Sequence, residues 1–169
     1  MDKPRFVYVT LINTTAEKLW TALTKTEFTR QYWFGTSVQS DWRVGTPARF
    51  DVDGKPLLEG TVLKSEPPRL LSYSWRHVAD PELSGEKPSR VTFEIEPLEG
   101  KDGRPAATGV KLTVTHDDFP PNSKMFPRIS NGWPTVLSGL KTLLETGKAL
   151  EVEAPCQHNA KTLETAASH

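Results

Sequence analysis

Along the middle of the chain, apolar and polar residues alternate one by one. Leu71, Tyr73, Trp75 and His77 share one side of the pattern, as do Val91, Phe93 and Ile95, and Val110, Leu112, Val114 and His116. Their neighbours Ser72, Ser74, Arg76, Thr92, Glu94, Lys111, Thr113 and Thr115 are polar. A period of two is the signature of strands with one dry and one wet face. Six such strands are predicted near residues 37–42, 48–52, 58–63, 70–77, 90–96 and 110–116, set apart by Gly, Pro and Asp. Val52-Asp53-Gly54-Lys55 reads as a tight hairpin, and residues 82–89 and 99–108 read as polar loops.

The beginning of the chain follows other rules. Residues 6–12 (FVYVTLI) are apolar on both alternating sets, which predicts a strand covered on both sides. Thr14 and Glu17 have capping-box spacing, and Leu19, Trp20 and Leu23 then form one helical face. A second short helix is predicted from Thr26, carrying Phe28, Tyr32 and Trp33, with Gly35 closing the elbow.

The period changes again near the end. Trp133, Val136, Leu137, Leu140, Leu143 and Leu144 recur at helical spacing and predict a long amphipathic helix over residues 130–147, with Pro134 in its first turn and Gly147 ending it. Gly139 lies inside this helix, where glycine costs about 1 kcal/mol relative to alanine; either another element approaches closely there or it is a tolerated surface position. Past Leu150 the periodicity stops, so residues 1–150 are expected to form the domain and 151–169 a mobile tail. An antiparallel sheet with an apolar face needs a cover, and this helix supplies one in an α+β arrangement.

Charge narrows the functional classes. Lysines plus arginines equal aspartates plus glutamates at 21 each, and no basic run occurs, which argues against nucleic acid as a partner. The single cysteine, Cys156, has no partner for a disulfide and no metal-ligand spacing, so no metal is expected. No segment has signal-peptide character or the roughly 20 apolar residues of a membrane span, which points to a cytoplasmic protein that does not insert into membranes. The motifs HExxH, GxGxxG and GxSxG and a phosphate-binding loop are all missing, so no cofactor and no catalytic residue is assigned.

In order along the chain, TAEKLWTALT, QYWFG, SDWRVG, EGTVLKSEPPRLLSYSW and NGWPTVLSGLKTLLETG resemble the SRPBCC or START-like superfamily. More narrowly, they resemble its bacterial branch named after the C-terminal domain of an activator of the Hsp90 ATPase. The resemblance spans roughly the first 150 residues. It implies a helix-grip fold, a curved antiparallel sheet wrapped around the last helix with a cavity between them. It also implies binding of small apolar molecules such as lipids, polyketides or aromatic metabolites, some relatives being cyclases or hydrolases. The chain is too short for the eukaryotic activator's additional N-terminal domain, so chaperone stimulation is not carried over with the name.

On that basis the candidate cavity residues are Trp33, Phe50, Val62, Leu71, Tyr73, Trp75, His77, Val91, Phe93, Ile95, Leu112, Val114, Trp133, Leu137 and Leu140. Their large rings either plug the space or wall it, because core and pocket positions share one periodicity. A dry void of some 300 Å³ would cost on the order of 7 kcal/mol, so the space must be filled or occupied. Tyr73, His77, Arg49 and His116 are candidate polar anchors, although His77 also suits a solvated strand end. Asp117 and Asp118 follow His116, but neighbouring strand residues face opposite ways and no metal or acid-base cluster is expected of them. An enzyme using Tyr73, His77 and Arg49 is one alternative. A Hsp90-like chaperone partner is the other, expected to show as an exposed patch at Trp33 and Phe34 or at Trp42.

Overall fold

The computed structural model describes residues 3–152, so nearly all of the expected tail, Cys156 included, lies outside the described residues. The elements run β1 (Phe6–Ile12), α1 (Ala16–Thr24), α2 (Thr26–Tyr32), β2 (Thr36–Ser40), β3 (Pro47–Val52), β4 (Lys55–Glu66), β5 (Leu70–His77), α3 (Pro81–Ser84), β6 (Ser89–Glu99), β7 (Pro105–Asp117) and α4 (Met125–Thr146). The strands form one antiparallel sheet in the order β1-β7-β6-β5-β4-β3-β2. Irregularities at Phe50/Asp51, Val62/Lys64 and Pro97/Glu99 add local twist, which helps the sheet curl around α4. Asp53 and Gly54 both have positive φ, as the two-residue turn between β3 and β4 requires.

Alternation translates directly into burial. Leu71, Tyr73, Trp75, Val91, Phe93, Ile95, Val110, Leu112 and Val114 are all buried, in one apolar cluster with Leu137 and Leu140 of α4. The α+β helix-grip arrangement is therefore the observed one.

Several local expectations are corrected. Strand β1 is an edge that pairs only with β7, and only one of its faces is covered: Phe6 and Tyr8 pack against the core, while Val7, Val9 and Leu11 on the opposite face are 48%, 53% and 53% exposed. Helix α1 starts one residue later than the capping-box reading: the Thr15 hydroxyl accepts from Lys18 N, while the Thr14 Oγ1 is buried without a partner. Helix α4 starts at Met125, which places Pro127 in the first turn and Pro134 in the interior. Proline has no N–H, so the Ser130 carbonyl loses its usual helical donor there. Burial of Met125 and Ile129, which continue the stripe, favours that early start. Ser72, expected on the wet face, is buried, with its hydroxyl donating to the Val91 carbonyl. Helix α3 forms inside a stretch read as loop, capped by Asp80, whose carboxylate accepts from Glu82 N.

Gly139 is buried where α4 crosses α2. A Cβ there would lie 3.4 Å from both Cβ and O of Tyr32, so the glycine marks a close approach of two helices.

Candidate functional site

The space between sheet and helix is plugged at depth and open at one end. Deep inside, Phe50 and Tyr73 pack with ring centroids 5.3 Å apart, Tyr73 and Phe93 at 5.9 Å, and Phe93 meets Trp133 edge-on at 5.9 Å. Tyr32 and Tyr73 are fully enclosed, and burial pushes both phenols well above their ordinary pKa. Phe50, Val62, Leu71, Tyr73, Val91, Phe93, Ile95, Leu112, Val114, Leu137 and Leu140 all belong to this packed core and none lines the open end. No large dry void needs to be maintained there.

At the other end lies a cavity of about 620 Å³. Trp33 and Phe34 reach it from the link after α2, Trp75 and His77 from the end of β5, and Leu83 from α3. Helix α4 contributes one side, from Met125 through Gly132 and Trp133 to Val136. The three indoles form one wall: Trp33 stacks on Trp75 at 6.0 Å, and Trp133 lies 5.3 Å from Trp33 and 5.5 Å from Trp75. Exposed Lys124, Pro127 and Arg128 stand at the rim, so water can enter. A Cβ on Gly132 would meet nothing within 4 Å, so no close contact demands the glycine that keeps this stretch of wall thin.

Behind the wall lies a buried polar chain. The Trp133 indole N–H donates to His116 Nδ1 at 3.1 Å. The His116 proton therefore sits on Nε2, which donates to Ser89 Oγ at 2.8 Å, and the Ser89 hydroxyl reaches the Trp75 carbonyl at 3.4 Å. His116 also stacks on Phe119 at 4.8 Å. Burial drives its pKa down to about 3, with Asp117 opposing the shift. His116 thus orients Trp133 and is closed off from solvent. Asp117 faces away and pairs with Arg90 through two 2.9 Å bonds.

The rim is tied across. Arg128 of α4 meets Asp80 at 3.2 Å, and the Ser123 hydroxyl donates to Glu86 at 2.7 Å, so the α3 segment is fastened to the start of α4. His77 accepts from Asp80 N at Nδ1 (3.3 Å), and burial lowers its pKa, with Asp80 raising it and Arg128 lowering it. Of the polar anchors read from sequence, His77 alone lines the cavity; Tyr73 is in the core, His116 is behind the wall, and Arg49 is exposed on β3. Tyr73, His77 and Arg49 are not brought together as an acid-base set.

Trp33, Trp75, His77 and Trp133 are thus the sequence-derived candidates that meet at the cavity. Phe34, Leu83, Lys124, Met125, Arg128, Ile129 and Gly132 were not among them. The apolar spacing of Met125, Ile129 and Trp133 was the available signal, and starting the helix at Ser130 concealed it. Among the described residues, no three His, Cys, Asp or Glu side chains are grouped to hold a metal, and no helix is long and apolar enough to cross a membrane.

A solved structure from Mesorhizobium loti superposes with a TM-score of 0.66 at 27% identity, covering 83% of this chain and 96% of that one. The dimer solved in solution from Colwellia psychrerythraea gives 0.65 at 22%, covering 86% and 99%. A structure described as an HSP90 activator from Plasmodium falciparum gives 0.65 at 19%, covering 83% and 95%. The last two likenesses speak to the fold alone. No curated protein matches the chain by sequence. The profile of one family, described as "Activator of Hsp90 ATPase homolog 1-like protein", matches residues 13–145, and with the helix-grip sheet and its last helix in place the chain belongs to that family.

Proposed function

We propose that the protein binds a small, mainly apolar molecule at the open end of the sheet-helix space, against Trp33, Trp75 and Trp133. The observation that carries this reading is the water-accessible cavity of about 620 Å³ with an indole wall, a size and composition typical of small-molecule sites. The plugged core behind it supports a ligand seated at the mouth and not along the whole length of the helix. A neutral fluorophore, N-phenyl-1-naphthylamine, tests it: enhancement is expected with the native protein and is expected to be lost in Gly132→Phe, whose ring would occupy the space. No enhancement with the dye, and no change in the Trp33, Trp75 or Trp133 indole resonances with a panel of lipids and aromatic metabolites, would reject the reading.

A protein-partner role of the kind printed for the Plasmodium falciparum structure is a second reading. The sites expected for it do not form an exposed patch: Trp33 is buried, Phe34 lines the cavity, and the Trp42 indole donates to the Thr24 carbonyl. What supports it instead is the exposed apolar row Val7, Val9 and Leu11 on the edge strand. Purified Hsp90 added to labelled protein should then perturb β1 resonances; unchanged β1 signals would dismiss it.

A further inference from the structure

Two aromatic residues hold a backbone conformation that bulky side chains avoid. Among the described residues, the non-glycine positions with positive φ are Phe34, Trp42, Asp53, Asp118 and Asn122. Aspartate and asparagine adopt it with little difficulty, whereas a bulky ring there costs free energy that some contact has to offset. For Trp42 the offset lies inside the protein. Its indole donates to the Thr24 carbonyl, and its ring lies 6.0 Å from Tyr73 and 6.5 Å from Phe50.

Phe34 is compensated only in part. It has a φ of 47° and is followed by Gly35 at 72°, and Thr36 N donates to the Trp33 carbonyl at 2.9 Å. Residues 33–36 therefore close a tight turn whose two central positions are both left-handed. Such a turn favours asparagine, aspartate or glycine at its first central position, and here that position carries phenylalanine. The side chain is half-buried against the margin of the core and lines the cavity. Among the described residues its ring pairs with no other, although Trp33, Trp75 and Trp133 around the same cavity pack ring to ring. Backbone strain held at a cavity, beyond what internal contacts account for, is a mark of a ligand contact.

Resting on the binding reading above, we propose that Phe34 is a stacking platform for the ligand and that the cavity prefers planar aromatic molecules to saturated ones of similar size. The turn holds the ring at the cavity before anything binds. A flat aromatic ligand supplies the ring neighbour that the protein does not, while a saturated one gains only the apolar surface.

Two neutral alcohols with one carbon skeleton separate this from the underlying reading: 2-naphthol, which is planar and aromatic, and decahydro-2-naphthol, which is neither. Their dissociation constants can be read from the Trp33, Trp75 and Trp133 indole resonances. The native protein is expected to favour 2-naphthol. Phe34→Leu, which keeps apolar bulk and removes the ring, should weaken 2-naphthol about fivefold, the scale of one aromatic pair, and leave decahydro-2-naphthol unchanged. Phe34→Asn, whose side chain suits the left-handed turn, should weaken 2-naphthol likewise and decides the matter should Phe34→Leu fold poorly. If the native protein shows no preference for 2-naphthol, or if 2-naphthol keeps its affinity in the variants, or if both alcohols weaken equally, Phe34 is a packing residue and the stacking proposal is wrong while the binding site stands. If neither alcohol shifts an indole resonance and N-phenyl-1-naphthylamine shows no enhancement, both proposals fall.

Discussion

The indole N–H of Trp133 donates to Nδ1 of His116 across 3.1 Å, and this fixes which imidazole nitrogen carries the proton. The wall of the cavity and the inner sheet are coupled through that bond, because His116 is in turn held by Ser89 of β6.

Stability should depend on pH through this pair. His116 stays neutral in the fold because burial lowers its pKa to about 3, whereas an unfolded histidine titrates at about 6.5. Between those values the unfolded chain binds the extra proton, so stability present above pH 6.5 is lost as pH falls. Urea unfolding should show a loss of about 2 kcal/mol from this group between pH 7 and pH 5, at about 1.4 kcal/mol per fully developed pH unit. His116→Gln should flatten that slope; an unchanged slope would move its origin elsewhere.

Gly132 and Gly139 should respond oppositely to bulk. Gly132→Ala meets no neighbour, so it should raise stability by about 1 kcal/mol through helix propensity alone. Gly139→Leu must force its branches against Tyr32 and should cost about 1–3 kcal/mol, read from denaturation midpoints.

The edge strand offers a third measurement. Val9 is half exposed on β1, so Val9→Lys should change stability by no more than about 0.5 kcal/mol. A charge on an edge also discourages strand-to-strand association. Turbidity on heating should therefore decline in the variant while its unfolding midpoint stays in place.

Much of the architecture was legible because burial follows period. The alternation from Leu70 to His77 is one strand with the same limits in the structure, and the stripe from Trp133 to Leu144 is one helical face. Limits set by proline and capping were harder to read. Pro127 and Pro134 both fit a first turn by local chemistry, and the packing of Met125 and Ile129 favours the earlier one. The two apolar sets of β1 gave no sign that one would face solvent, since which face of the sheet is covered is set by the tertiary arrangement and not by the strand's own residues. The site was blurred for a related reason: Phe93 and Trp75 occupy the same dry face, and only the depth of each beneath α4 separates filler from wall.

The β1 edge is clasped at one end by α4, where Lys141 Nζ donates to the Leu11 carbonyl and Glu145 accepts from Asn13 N at 2.8 Å. The first strand and last helix thus depend on each other across more than 130 positions. A ribosome making this chain releases every strand before the helix that seals them. Until α4 has emerged, the nascent sheet must carry its concave aromatic surface uncapped, and that interval is when the polypeptide is most open to mispairing or to capture by a helper.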